Sequence, residues 1–110
     1  MASENFQFET DIQWTDAAPK IQRQLYGYND QVMMVKVRFE QGGVGAVHQH
    51  PHTQVTYVES GVFEMTIGDE KKIISKGDGY FVPPDVLHGC VCLEAGMLVD
   101  CFAPMREDFV

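Results

Sequence analysis

Residues 45–61 read GAVHQHPHTQVTYVESG and hold three of the four histidines of the chain, directly before a strand-like run of Val, Thr and Tyr. In a β-strand, residues two apart lie on the same face, with Cα atoms about 6–7 Å apart. Two imidazoles at that spacing can share one ion that sits about 2.1 Å from each ring nitrogen. The sequence therefore predicts His48 and His50 as a pair of metal ligands.

The remaining ligands are predicted from the turns that flank this pair. Pro51 bends the chain, so we expect His52 to turn away, with a place at the rim of the pocket left as an alternative, and Gln54 to return to the site from the next strand. His88 stands in VPPDVLHGC, where two prolines stiffen its approach. Three neutral imidazoles and an amide oxygen suit one divalent ion, such as Zn, Ni, Fe, Mn or Co.

Outside this segment the chain consists of short β-branched and aromatic runs separated by turn residues. The predicted strands are 21–26, 32–39, 53–59, 62–68, 72–75, 80–83, 88–94 and 97–102. Turns are predicted at Ser60–Gly61 and at Glu94–Gly96, and residues 1–20 are expected to form an arm or an edge strand. Closely spaced turns without helices predict an all-β fold, either an antiparallel sandwich or a barrel.

Composition limits the classes of function. The 110 residues suffice for one domain, 1–110, and the net charge of −8 disfavours nucleic acids and anionic membranes as partners. No apolar run approaches the roughly 18 residues of a membrane span, and the N-terminus lacks a signal-peptide pattern. We expect a cytoplasmic protein.

The three cysteines, Cys90, Cys92 and Cys101, are odd in number and show no CxxC spacing. Cys90 and Cys92 alternate with apolar residues as in a strand. We interpret the cysteines as free, buried thiols rather than disulfide partners.

The closing stretch, MLVDCFAPMREDFV, contains a carboxylate within an apolar strand. Asp100 shares a face with Leu98 and Phe102, and an unpaired ionised group there would cost several kcal/mol. Asp100 is either a strand-end carboxylate bonded to backbone or a general acid/base with a perturbed pKa. Arg106 is interpreted as a partner of Asp100, a clamp for a substrate carboxylate, or a surface residue. Phe102 is either core or a residue on which a ligand ring stacks.

Two motifs resemble those of the cupin family. Gly42, His48, His50, Gln54 and Gly61 occupy the positions of the first motif, and Gly77, Pro83 and His88 those of the second. Asp85 replaces a glycine of the second motif, Cys92 its last asparagine, and Gln54 the usual glutamate of the first. The resemblance covers residues 42–92. It implies a double-stranded β-helix, or jelly-roll barrel, that holds the metal inside and is often a dimer.

The C-terminal stretch adds a closer resemblance to the KdgF group of cupins, which act in uronate catabolism. This resemblance implies metal binding by His48, His50, Gln54 and His88, and functional roles for the residues that match that group's Asp, Phe and Arg. Those residues are Asp100 and Arg106 as catalytic groups, with Phe102 and Arg106 binding substrate. The implied reaction converts 4,5-unsaturated uronates, released by pectin or alginate lyases, into the linear ketonised acid, 5-keto-4-deoxyuronate.

Two alternatives belong to other functional classes. A three-histidine cupin dioxygenase would require iron and consume oxygen, whereas ketonisation needs neither electrons nor oxygen. A non-catalytic metal- or sugar-acid-binding cupin would bind its ligand without turnover. For each of these the expected partner is a small molecule, and a small jelly roll of this type is expected to form a homodimer.

Overall fold

Two long strands run through the whole fold and take part in both of its sheets. The computed structural model describes all 110 residues and contains no α-helix, only strands and two short 3-10 turns at Glu9–Asp11 and Glu107–Phe109. The strands are β1 (Thr15–Ala18), β2 (Ile21–Asn29), β3 (Val32–Phe39), β4 (Val44–His48), β5 (Thr53–Ile67), β6 (Glu70–Ser75), β7 (Gly79–Val82) and β8 (His88–Ala103). Neither helical turn has the length or apolar character to cross a bilayer. The all-β prediction is confirmed.

All strand pairs are antiparallel, and β5 and β8 pair with each other along nearly their whole length. The C-terminal half of β8 continues into β3, β2 and β1, while the first half of β5 adds β7. The N-terminal half of β8 pairs with β4, and the second half of β5 pairs with β6. The result is two facing sheets that share their two central strands, which is a jelly-roll barrel.

The two predicted turns within these strands are wrong. Ser60–Gly61 and Glu94–Gly96 lie inside β5 and β8, where shifts of register bend both strands from one sheet into the other. Gly61 has φ +86°, and a Cβ atom added to Gly96 would overlap the carbonyl oxygen of Ser60. The turn-like composition therefore reflects a bend at which two backbones touch, which only glycine permits.

The core lies between the two sheets, and its largest buried cluster contains eight residues. This cluster comprises Ile21, Phe39, Val58, Phe63, Met65, Cys90, Cys92 and Leu98. Phe39 and Phe63 pack edge to face with ring centroids 5.1 Å apart, a geometry worth about 0.5–1.5 kcal/mol beyond burial alone. All three cysteines are free, and Cys90 and Cys92 are buried as predicted, whereas Cys101 is half-buried.

The N-terminal residues cover the outer face of β2. The Gln24 side chain, fully buried, donates hydrogen bonds to the carbonyl oxygens of Glu9 and Ile12 at 2.9 and 2.8 Å. β1 then pairs with β2 at the sheet edge. These bonds fix the arm on the outer face of β2, while Ala17 and Ala18 of β1 reach the lining of the cavity that adjoins the histidines.

Candidate metal centre and adjoining cavity

The three histidines meet where β4 ends and β8 begins. His48 and His88 are paired directly across these strands, and His50 follows in the loop after β4. The backbone N–H of Asp85, which adopts φ +63°, donates to the carbonyl oxygen of His50 at 2.8 Å and ties that loop to the turn before His88. One ligand atom from each histidine lies within 4.8 Å of the other two. Sequence-distant segments thus form one compact donor group.

Each ring is oriented by a hydrogen bond from Nδ1–H to the backbone carbonyl two residues away. The pairs are His48 with Ala46 (2.8 Å), His50 with His52 (3.1 Å) and His88 with Val86 (2.9 Å). A carbonyl oxygen only accepts, so each Nδ1 must carry the proton, and in the neutral ring the lone pair then sits on Nε2. Burial lowers the pKa of His50 and of His88, which favours the neutral form that a metal ligand needs.

Two unsatisfied contacts fit a cation. His88 Nε2 is buried without a hydrogen-bond partner. His50 Nε2 lies 3.0 Å from Oε1 of Gln54, so two lone-pair acceptors face each other. A divalent ion bound by these atoms would satisfy all of them. The donor set therefore fits a metal with imidazole and amide-oxygen ligands.

The orientation of the Gln54 amide is fixed from behind. Its Nε2 donates to Oγ1 of Thr56 at 3.0 Å and to Oδ1 of Asp100 at 3.3 Å. A flipped amide would turn its oxygen towards the carboxylate, which has no proton to donate when ionised. Asp100 thereby holds the amide oxygen of Gln54 towards the histidines.

Asp100 is half-buried on the inner face of β8, opposite Thr56 of β5 and Val35 of β3. Its Oδ1 accepts a hydrogen bond of 2.6 Å from the Thr56 hydroxyl in addition to the one from Gln54. Burial raises the pKa of Asp100 to about 6, although both hydrogen bonds oppose this shift. The partners of Asp100 are side chains, so it is not the backbone-bonded strand end that the sequence left open.

Phe102 and Arg106 lie beside the donor group. Phe102 is 3% exposed, faces Gln54 across the strands and packs edge to face against His50 at 5.6 Å. Arg106 does not bond Asp100. Its Nε and one Nη donate instead to the carboxylate of Asp108 at 3.0 and 2.8 Å. The Arg106 side chain, 13% exposed, also lies over the Phe102 ring at 5.1 Å.

His52 lies outside the donor group, as the sequence predicted. Its ring packs edge to face against His50 at 5.4 Å, and its Nδ1 is buried without a hydrogen-bond partner. It does not line the adjoining cavity.

A cavity of about 350 Å³ opens beside the histidines, within the range typical of small-molecule sites. His48, Gln54, His88, Asp100, Phe102 and Arg106 all line it. Two further lining residues, Arg23 and Tyr80, were missed from the sequence. Burial and the nearby negative charge of Asp100 raise the pKa of the Tyr80 phenol well above its usual value, so it stays protonated as a donor. Tyr80 resembled a plain core aromatic, but Arg23 could have been found, since it alternates with Ile21 and Leu25 in the predicted strand.

Comparison with known proteins agrees with both the motifs and the fold. Residues 35–99 match the cupin domain family. Over 104 residues, 93% of this chain and 94% of the relative, it is 38% identical to the pectin degradation protein KdgF of Dickeya dadantii strain 3937. An RmlC-like cupin from Shewanella frigidimarina superposes with a TM-score of 0.97 at 43% identity, over 99% of this chain and 98% of that one. KdgF from Halomonas sp. superposes with a TM-score of 0.93 at 36% identity, over 98% and 100%. The predicted resemblances are confirmed.

Proposed function

The chain belongs to the cupin family, and from this premise we propose that it is a pectin-degradation enzyme that converts 4,5-unsaturated uronates into 5-keto-4-deoxyuronate. The observation that carries the proposal is a half-buried carboxyl group, Asp100, which is joined through Gln54 to a three-histidine donor group beside a cavity lined by arginine. The similarity of the chain to two KdgF proteins supports the same assignment.

The metal would be held by His48, His50, Gln54 and His88, as one divalent ion. When bound, the ion supplies a Lewis acid that polarises substrate oxygens. A neutral amide in place of a carboxylate ligand leaves the centre one charge more positive, which favours an anionic, hydroxylated ligand.

The reaction is an isomerisation that needs only proton transfer. The substrate is a cyclic enol ether with a hemiacetal at C1. The hydroxyl on C1 loses its proton, the bond between C1 and the ring oxygen breaks to give an aldehyde, and C4 gains a proton as C5 becomes a ketone. A single carboxyl group can accept the first proton and deliver the second. Asp100 is the group in the cavity suited to this exchange.

Arg106 and Phe102 would bind the substrate. The guanidinium of Arg106 pairs with the substrate carboxylate by charge and hydrogen bonding. The Phe102 ring presents an apolar surface to the sugar. With Asp100 next to Gln54, these contacts would place the reacting oxygens between the donor group and the carboxyl group.

The test follows the ultraviolet absorbance of the conjugated alkene in lyase products from pectin or alginate. Metal-loaded protein should remove this absorbance well above the spontaneous rate, without oxygen uptake. A rate equal to the spontaneous one would contradict the proposal. Elemental analysis of the active preparation would identify the metal.

A homodimer is proposed to form through the outer face of the larger sheet. Exposed apolar side chains lie there on three strands, β3, β5 and β7: Val32, Met34, Val55, Tyr57 and Phe81. None of these five side chains is charged, and an exposed apolar patch of this kind is typical of an interface between two copies of a chain. Light scattering should report a dimer for the wild type and a monomer for Val55→Glu, and a monomeric wild type would contradict this.

A further inference from the structure

We propose that Arg23 is a second substrate-binding arginine, which receives the carboxylate of the sugar acid in the cavity together with Arg106. The inference rests on the proposed function, because it names a specificity residue for that site. Neither the cupin motifs nor the C-terminal stretch includes Arg23, and it is the structure that places this residue in the cavity lining.

Arg23 points into the barrel. On β2 it alternates with Ile21 and Leu25, and it pairs directly with Val37 of β3, a residue packed against the core. An arginine at an inward position of an apolar row costs desolvation, which burial of its aliphatic stem offsets only in part. Its guanidinium has neither a hydrogen bond nor an ion pair within the protein. A guanidinium placed here without a hydrogen-bond acceptor or an anion beside it points to an acceptor from outside the chain.

The guanidinium groups of Arg23 and Arg106 both make cation–π contacts with the ring of Phe109. The Cζ atom of Arg23 lies 3.9 Å from the ring centroid and that of Arg106 lies 4.3 Å from it. Burial and the positive charge of Arg106 lower the pKa of Arg23, although it remains protonated. Asp108 supplies one negative charge to the two positive charges. The cluster therefore keeps a net positive charge beside the cavity, which an anion would neutralise.

The two arginines differ in how many of their N–H groups remain free to bind a substrate. Arg106 uses its Nε and one Nη on Asp108, so the edge that grips a carboxylate in bidentate fashion is already occupied. The corresponding edge of Arg23 is free. Arg106 can still offer its second Nη group. A substrate carboxylate is therefore expected to take its main contact from Arg23.

The experiment compares binding of a saturated uronic acid, galacturonate, with that of its neutral counterpart, galactose, to metal-loaded protein by calorimetry. Neither sugar has the 4,5-alkene, so binding is measured apart from turnover. The wild type should prefer galacturonate. Arg23→Gln should lower the affinity for galacturonate about tenfold or more, which is the scale of one lost charged hydrogen bond. Its affinity for galactose should stay within twofold of wild type.

Arg38→Gln is the matched control. The substitution removes the same charge from the neighbouring strand. The Arg38 side chain, however, faces outwards, donates to Oε1 of Gln22 at 2.9 and 2.6 Å and lies outside the cavity lining. Its galacturonate affinity should stay within twofold of wild type. Arg23→Met keeps an unbranched apolar stem against Phe109 and should behave as Arg23→Gln does. Melting temperature and metal content establish that each variant is folded.

Three results would overturn the inference. The Arg23 variants could lose affinity for galactose as much as for galacturonate, or Arg38→Gln could lose as much galacturonate affinity as they do. Either Arg23 variant could also keep the wild-type affinity for galacturonate. A wild type that prefers galacturonate through Arg23, yet leaves lyase products unconverted, would refute the proposed reaction and uphold the carboxylate site. In turnover assays, Arg23→Gln is expected to raise KM and leave kcat nearly unchanged. The reason is that Arg23 would bind the carboxylate equally in the bound substrate and in the transition state.

Discussion

Replacing Thr56 by valine tests the hydrogen-bond relay behind the donor group. The hydroxyl of Thr56, a residue 2% exposed, accepts from Gln54 at 3.0 Å and donates to Asp100 at 2.6 Å. Valine has nearly the same shape but can form neither bond. A bond to a charged group is worth about 1.5–3 kcal/mol and a neutral one about 0.5–1.5 kcal/mol. Because valine regains apolar packing, we expect Thr56→Val to lower the free energy of unfolding by about 2–3 kcal/mol.

The same substitution should lower the affinity of the protein for the metal. Gln54 would keep only its longer bond to Asp100 at 3.3 Å, so its amide oxygen would be held less firmly towards the histidines. Loss of such an outer contact typically costs about 10–100-fold in metal affinity. The assays are urea unfolding of the metal-free protein and metal titration against a competing chelator.

Two variants control for the change of side chain. Thr56→Ser keeps the hydroxyl and should restore most of the metal affinity. Thr53→Val makes the same chemical change on the same strand, where the threonine hydroxyl has no hydrogen bond, and should shift stability by no more than about 0.5 kcal/mol. A Thr56→Val protein with wild-type stability and metal affinity would show that the hydroxyl does not position Gln54 or Asp100.

Three further substitutions have separate outcomes. Asp100→Asn should reduce turnover of unsaturated uronates about 10²–10⁴-fold with metal content unchanged, measured by the absorbance assay and elemental analysis; full activity would remove its acid/base role. His88→Ala should abolish metal binding, so that it loses the stabilisation of about 2.7 kcal/mol expected for wild type at a metal concentration 100 times Kd; a thermal melt with and without metal decides this. Gly96→Ala should lower the free energy of unfolding by about 2–4 kcal/mol, because its methyl group overlaps the Ser60 carbonyl; chemical denaturation with wild-type stability would contradict that packing.

The residues of the donor group could be predicted from the sequence because the prediction depends on local spacing and turns. His48 and His50 are two apart at a strand end, Pro51 bends the chain, and His88 follows a rigid turn. Alternation likewise placed Asp100 on an inner face. These features depend only on backbone periodicity and turn residues, which act over a few positions.

The continuity of the two central strands was not accessible in this way. A Ser-Gly or Glu-Ala-Gly sequence fits a turn as well as a bend, and the choice depends on whether two distant backbones meet. Here Gly61 and Gly96 touch, so each strand bends and continues. The energy that decides the matter comes from pairing along 53–67 and 88–103, which no local window contains.

What the sequence determined by itself was the all-β class, the faces of the strands and the residue types able to hold a metal. The tertiary structure alone decided their partners: Asp108 rather than Asp100 bonds Arg106, Thr56 joins Asp100 to Gln54, and Arg23 remains unpaired beside the cavity. The reason is physical. Periodicity sets the direction in which a side chain points, whereas hydrogen bonds and charge pairs act through space between strands that are far apart in the chain.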